Sequence, residues 1–246
     1  MTDLSIVIPA FNEASKIGAD VRAASVFFEE HKISGEVIVV DDGSLDGTYD
    51  AARSAKVSPS VKLTVIRHET NKGKGSAVQT GVLRSSGNCV LYADSGTCIP
   101  YRDALPSLER IWRGSVDVAM ASRRLKGTVI CRDRPVKRRV LAWLFRQSAF
   151  LVAGLPRRIT DSQCGFKVYR GDLARELYSG LEAAGFLFEL EVILKALQKE
   201  LVVEEFPVTW TCDPDTRVRP ASQAFPLLKE LFAVRKIIKK MKKEER

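Results

Sequence analysis

The chain has 246 residues, 45% of them hydrophobic, which is enough to bury a substantial core and excludes a disordered or fibrous protein. Lys and Arg number 39 against 30 Asp and Glu, and the formal net charge of +9 calls for an acidic partner: phosphates, nucleic acid or an anionic membrane surface. Five cysteines (Cys89, Cys98, Cys131, Cys164 and Cys212) form an odd set without Cys-x-x-Cys spacing, so reduced thiols are expected rather than disulfides or a zinc site.

Ser5–Pro9 is a short apolar run that reads as a buried strand stopped by Pro9. Ala14–Glu30 has helical composition, with Asn12 available as a cap, and Gly35 breaks it. Glu36–Val40 is a second buried strand that runs directly into Asp41-Asp42-Gly43-Ser44. A helix over Thr48–Ala55 and a strand over Val61–Ile66 follow. The loop Asn71–Gly75 precedes a helix near Ser76–Ser85, and Cys89–Ala93 is a strand ending at Asp94. Strands alternating with helices predict a mostly parallel, doubly wound α/β sheet, whose ligands bind outside the carboxyl ends of the strands.

The second half changes character. Val116–Ala121 reads as a strand ending at Ser122-Arg123-Arg124, and Arg123–Arg146 holds nine basic residues against the single acid Asp133. Val140–Leu155 is largely apolar, Thr160–Tyr169 is a polar, glycine-containing segment, Glu182–Lys199 looks helical and Leu201–Trp210 extended. Leu227, Leu231, Val234, Ile238 and Met241 make one apolar stripe on a basic helix over Phe225–Lys243. No signal peptide pattern and no uncharged apolar run of membrane-spanning length is evident.

Chemistry can reside at three places. Asp41 and Asp42 close a buried strand and can accept hydrogen bonds from ribose hydroxyls or a base N–H; turn capping is the competing reading. Asp94-Ser95-Gly96 closes another strand, and a carboxylate there can hold a divalent cation on a diphosphate. Lys72, Gly73, Lys74 and Gly75 make a basic glycine loop before a helix, suited to phosphate or simply to a turn. The two histidines, His31 and His68, are isolated and read as structural or surface residues.

Ser5–Glu13 (SIVIPAFNE), Val39–Thr48 (VVDDGSLDGT), Asn71–Gly81 (NKGKGSAVQTG) and Asp94 occur in the order seen in family 2 glycosyltransferases of the GT-A fold. Asp161–Lys167 (DSQCGFK), Gly185–Leu194 (GFLFELEVIL) and Val203–Pro220 (VEEFPVTWTCDPDTRVRP) resemble the polyprenyl-phosphate hexosyltransferases, and DSQCGFK is most similar to the dolichyl-phosphate glucosyltransferase branch. The resemblance spans about Ser5 to Pro220. It implies a GT-A, Rossmann-like sheet flanked by helices over residues 1–222; residues 223–246 are the basic C-terminal amphipathic helix read from the apolar spacing.

By position, the resemblance implies that Pro9, Ala10, Phe11, Glu13, Asp41 and Asp42 hold the nucleoside. Lys72 and Lys74 approach base or diphosphate, and Asp94 and Ser95 serve the diphosphate, with Asp94 on a magnesium or manganese ion. Arg123, Asp161 and Gln163 face hexose or acceptor. Glu189 and Glu191 match a paired-acid helix, with Glu191 in the catalytic set. Arg217 and Arg219 match the basic end of a loop that closes on the diphosphate. The family's Asp-x-Asp departs here, because Gly96 stands at the second acid, which puts the metal in question.

The expected activity is inverting transfer of a hexose from a nucleotide-sugar, UDP-glucose before GDP-mannose, to a polyprenyl phosphate. The acceptor phosphate is already ionised at neutral pH, so positioning and charge stabilisation of the leaving diphosphate carry the reaction. Relatives often carry C-terminal transmembrane helices. With no such apolar run evident in this sequence, a peripheral enzyme at the cytoplasmic face of an anionic membrane, with or without a membrane protein partner, is expected instead. A family 2 transferase with a non-lipid acceptor is one alternative. A basic nucleic-acid or membrane-binding protein is another, although no nucleic-acid recognition module is identifiable and no nucleic acid is expected as partner. A sugar-phosphate nucleotidyltransferase would carry a glycine-rich loop where this chain has PAFNE.

Overall fold

The computed structural model describes residues 2–132, 143, 146, 147, 149–213, 230–237 and 240. The chain opens as β1 (Leu4–Ala10), α1 (Ile17–His31), β2 (Gly35–Asp41), α2 (Thr48–Arg53), β3 (Lys62–Arg67), α3 (Lys74–Arg84) and β4 (Cys89–Ala93). It continues as α4 (Leu105–Trp112), β5 (Val118–Ser122), β6 (Val129–Arg132), β7 (Phe166–Arg170), α5 (Gly171–Ser179), α6 (Phe188–Gln198), β8 (Val203–Pro207) and β9 (Thr209–Thr211). Seven strands form one sheet in the order β3-β2-β1-β4-β7-β5-β8, and β6 pairs with β9 in a small second sheet. Only β7 runs antiparallel to its sheet neighbours, β4 and β5. This is the mostly parallel GT-A-like sheet that the sequence predicts.

Alternation within each strand sorts the core into two layers. Ile6, Ile8, Val37, Val39 and Leu91 pack with Val21, Phe27 and Phe28 of α1 and Leu108 of α4. Val7, Ile38, Val40, Val90 and Tyr92 pack with Val78 of α3, Leu177 of α5 and Ile193 of α6. Leu4, Ile6, Val7 and Ile8 are fully buried, so each stabilises the fold by about 1.5–3 kcal/mol. Strand β1 continues through Pro9 rather than stopping there. Its pairing with β4 ends at Val7, so the missing N–H falls where only β2 remains alongside.

Two of the expected elements need correction. Thr160–Tyr169, read as a polar segment, contains most of β7, because its central Lys167 is neutralised in the core and does not need solvent. The helix expected from Glu182 begins only at Phe188, because the carboxylate of Glu191 accepts the backbone N–H groups of Glu182 at 3.1 Å and Ala183 at 2.8 Å and draws that stretch into a loop. Leu201–Trp210 is extended as expected, and its strands β8 and β9 belong to different sheets. In the basic tail, residues 230–237 are helical, and Leu231 and Val234 of the stripe are buried in the second core layer. That part of the stripe packs on the domain, so it is not a free membrane-facing surface; Leu227, Ile238 and Met241 lie outside the described residues.

Candidate active site

The carboxyl ends of β1, β2 and β4 carry the predicted acids. Asp41 is completely buried and accepts the Ser44 N–H at 3.0 Å, and Arg67 lies 3.3 Å from its other oxygen. Asp42 accepts the backbone N–H groups of Lys72 at 2.9 Å and Gly73 at 2.8 Å, and its Oδ1 lies 2.7 Å from His68 Nδ1. His68 in turn bonds Thr80 on α3 at 3.0 Å. These aspartates thus brace the two loops that follow β2 and β3. His68, which the sequence reading set aside, is the buried bridge that completes the brace.

Pro9 and Ala10 end β1 beside them, and Phe11 and Glu13 lie on the turn that follows. That turn is stitched to the Gly43–Thr48 loop by Asn12 N–H to Ser44 Oγ at 2.8 Å and Glu13 N–H to Thr48 Oγ1 at 2.8 Å. Phe11 is exposed, offering an aromatic face at the mouth of the strand ends.

The glycine loop is organised differently from a phosphate cradle. The N–H groups of Gly75 and Ser76 donate to the carbonyls of Gly185 and Ala184 at 3.1 and 3.3 Å. Together with Lys72 and Gly73 on Asp42, this turns the backbone donors toward protein acceptors. A Cβ on Gly75 would stand 2.5 Å from the Ala183 carbonyl oxygen, so the glycine serves helix-to-loop packing. What remains for a ligand is the exposed side chain of Lys72 and the half-buried one of Lys74.

Lys74 Nζ lies 2.9 Å from Asp94 Oδ1 and 3.0 Å from Oδ2, and the Tyr92 hydroxyl donates to Oδ1 at 2.7 Å. Burial disfavours the Lys74 charge. The neighbouring Asp94 and Glu189 outweigh it and raise the pKa above the usual lysine range, so the group is an ammonium at neutral pH. The side chain of Asp94 keeps 39% of its surface exposed. Its position depends on Gly165, where a Cβ would lie 2.0 Å from Asp94 Oδ2. The following turn is held from beneath by Asp20, which accepts Ser95 Oγ–H at 2.6 Å and Gly96 N–H at 2.9 Å. Asp20 lies three residues into α1, and no sequence signal marks it for this role.

Arg123 and Asp161 are brought together as a pair. Arg123 Nε donates to Asp161 Oδ2 at 2.6 Å and its terminal nitrogen to Oδ1 at 2.7 Å, while the guanidinium also reaches the Gln163 carbonyl and stacks 5.6 Å from the Trp210 ring. Glu205 on β8 fixes the same turn by accepting the Thr160 and Asp161 N–H groups at 2.9 and 2.8 Å. Gln163 presents a buried Nε2 without a hydrogen-bond partner among the described residues, a donor suited to a hydroxyl or phosphate oxygen.

Burial pushes the Asp161 carboxyl up, but the Arg123 charge and its hydrogen bonds prevail and hold the pKa below the ordinary carboxylate value. A depressed folded pKa contributes stability above the unfolded value near about 3.9 and loses it as pH falls through the folded pKa. The urea midpoint of the wild type should therefore decline below about pH 4. Asp161→Asn should lack that component of the decline; parallel pH curves for the two proteins would refute the coupling.

Glu189 and Glu191 point to different tasks. Glu189 meets Lys167 at 2.8 Å in the core, with Lys167 0% and Glu189 2% exposed by side chain. Glu191 holds the Glu182–Ala183 loop and contacts Lys195 at 2.6 Å, so the structure does not place it beside Asp94. Burial pushes the Cys164 and Cys98 thiols up to about 12, which leaves neither a thiolate nucleophile; Asp94 and Asp213 add to the effect at Cys98. Arg217 and Arg219 lie outside the described residues. No cluster of three or more His, Cys, Asp or Glu side chains that could hold a metal occurs among the described residues.

Comparison with known proteins agrees with this architecture. Residues 5–178 match the family described as Glycosyl transferase family 2. The dolichyl-phosphate beta-glucosyltransferase of Drosophila melanogaster is 30% identical over 245 residues, covering 94% of this chain and 74% of its own. The enzymes of that name from Saccharomyces cerevisiae and Homo sapiens are each 29% identical, with the same coverage of 94% and 74%. Among solved structures, glucosyl-3-phosphoglycerate synthase from Mycobacterium tuberculosis with Mn2+, UDP-glucose and phosphoglyceric acid superposes with a TM-score of 0.67 at 17% identity, over 95% of this chain and 78% of that one.

Proposed function

The chain belongs to glycosyl transferase family 2 and is a glycosyltransferase, and from that premise we propose that it transfers glucose from UDP-glucose to a dolichyl or related polyprenyl phosphate. The observation that carries this reading is the cluster of Lys74, Asp94 and the Arg123–Asp161 pair around the strand ends of a chain that is 27–30% identical to dolichyl-phosphate glucosyltransferases over 94% of its length.

In this reading an oxygen of the acceptor phosphate attacks the anomeric carbon. The bond from that carbon to the donor diphosphate breaks, the electron pair leaves with the nucleoside diphosphate, and configuration inverts. The attacking oxygen carries its own negative charge, so no proton need be removed first. The end of β1 at Pro9 and Ala10 and the turn through Phe11 and Glu13 receive the nucleoside, and Lys72 and Lys74 supply positive charge for the diphosphate. Gln163 offers its unused donor to hexose or acceptor. Arg123, locked bidentately to Asp161, positions that segment with little loss of entropy on binding. Arg217 and Arg219 are assigned to the departing diphosphate.

The structural neighbours with Mn2+ and UDP-glucose support a divalent cation for the donor. Asp94 is the residue at β4 to hold it, and the cation would supply charge stabilisation to the leaving group. Residue 96 offers no side-chain oxygen, but a carboxylate does reach the space beside it, so the residues present are compatible with a cation.

The direct test is incubation of the purified protein with UDP-glucose or GDP-mannose and a polyprenyl phosphate, with magnesium or manganese, followed by detection of lipid-linked hexose. Product from UDP-glucose is expected; hexose release to water or to soluble acceptors alone would exclude the lipid acceptor.

We also place the protein peripherally at the cytoplasmic face of a membrane, with a membrane protein partner as a second means of recruitment. Among the described residues no helix is long and apolar enough to cross a bilayer. Support for surface binding comes from Trp143 and Leu151, 50% and 80% exposed; in sequence, Trp143 lies at the edge of the basic stretch ending at Arg146, and Leu151 between that stretch and the Arg157-Arg158 pair. Flotation with anionic vesicles should recover the protein at low salt and release it at high salt; no flotation at any salt would remove the surface from the proposal.

A further inference from the structure

Gly96 sits at φ +103°, at the position where the resemblance expects the second acid of Asp-x-Asp. A Cβ built on it would lie 3.1 Å from Asp213 Oδ2 and 3.9 Å from Cys98 Sγ. The room that a side chain at 96 would use is therefore taken by the carboxylate of Asp213, which arrives from just beyond β9. Lys16, from the turn after β1, holds that carboxylate with Nζ at 2.9 and 2.8 Å from its two oxygens. Asp20 fixes the Ser95–Gly96 turn through part-buried hydrogen bonds, which set the relation between Asp94 and this space. Thr211 donates its N–H to the Cys98 carbonyl at 2.9 Å, which ties the end of β9 that leads to Asp213 to the short stretch that Asp94 opens.

We infer that Asp213 takes over the part of the missing acid at position 96 and, with Asp94, forms the carboxylate pair that receives a divalent cation together with the donor diphosphate. The inference rests on the nucleotide-sugar reading above. A cation that travels with substrate phosphates needs only one or two protein carboxylates, because phosphate and water oxygens complete its shell. An acid contributed from a distant strand end serves as well as one two residues away, provided its oxygen reaches the same space. Each acid here has a lysine counter-ion, Lys74 for Asp94 and Lys16 for Asp213. Those lysines relieve the repulsion between carboxylates in the empty site and compete with a cation for them. Cation uptake without nucleotide should accordingly be weak.

The test measures Mn2+ uptake in the presence of UDP, from the electron paramagnetic resonance signal of unbound Mn2+. It uses the full chain as wild type, Asp213→Asn and Lys16→Met. Asp213→Asn should weaken Mn2+ uptake about tenfold or more. Lys16→Met breaks the same ion pair but removes a competitor, so it should leave uptake equal or tighter. Wild-type uptake in Asp213→Asn, or equal loss in both variants, would show Asp213 to be only a structural partner of Lys16 and would overturn the inference. Calorimetry of UDP, and of GDP in parallel, with Mn2+ and with chelator separates the two possible failures. Nucleotide binding without Mn2+ uptake overturns the cation pair alone; no nucleotide binding under either condition overturns the nucleotide-sugar reading and the pair with it.

Discussion

Asp94→Ala is expected to lower kcat by about 10²–10³-fold while leaving the fold intact, the magnitude typical of losing one preorganised charge contact at a developing anion. Asp94 stands at the end of β4 with part of its side chain open to solvent, and it orders the Lys74 ammonium and the Tyr92 hydroxyl around itself. Removing it frees Lys74 and deletes the β4 carboxylate assigned to the cation. Gly165→Ala provides a second route to the same prediction without changing any charged group. The added Cβ would fall 2.0 Å from Asp94 Oδ2, so the carboxylate must leave its position. Single-turnover transfer of labelled hexose, with thermal melts as a control for folding, measures both variants. Near-normal turnover in Asp94→Ala would remove Asp94 from the site.

Glu189→Gln is expected to destabilise the protein by about 3–5 kcal/mol, because it strands the Lys167 ammonium in the core. Lys167 is 0% exposed; its Nζ meets Glu189 at 2.8 Å and donates to the Cys164 carbonyl at 2.6 Å. The nearby dielectric is low, and water cannot replace the lost counter-charge. The paired change Lys167→Met with Glu189→Leu removes both charges and should recover most of the loss. Urea unfolding of the three variants separates these outcomes. A cost below about 1 kcal/mol for Glu189→Gln would mean that solvent reaches the pair, since that is the range of exposed ion pairs. The consequence extends to catalysis: Lys167 lies on β7 two residues beyond Gly165, so the buried pair also anchors the glycine against which Asp94 rests.

Much of the architecture was readable from the residues. Uninterrupted apolar runs at Ile6–Ile8, Val37–Val40 and Cys89–Ala93 lie in strands, since a strand covered on both faces has no polar alternation to confuse it. The antiparallel β7 escaped because Lys167 breaks its apolar pattern, and its neutralising partner lies 22 residues away. Sequence leaves the glycine loop open between a phosphate cradle and a turn, because glycines before a helix suit both; the N–H groups of Lys72, Gly73, Gly75 and Ser76 are engaged by protein acceptors. An apolar stripe on a basic tail helix suits a membrane face, yet Leu231 and Val234 cover the core, and amphipathic spacing is the same for either destination.

The sequence alone determined which groups are present: the strand-end aspartates, the lysine–glycine loop, the motifs of a family 2 transferase and the glycine where an acid is expected. Tertiary structure alone decided what each group is committed to. Asp42 holds the following loop, Arg123 is locked to Asp161, and Asp20 and Glu205 serve as unsuspected braces. Lys16 and Asp213 meet across 197 positions of sequence. Local burial and backbone preference act within a few residues and leave a periodic trace along the chain. A carboxylate's partner is set by where distant strand ends converge, and no spacing in the sequence encodes that distance.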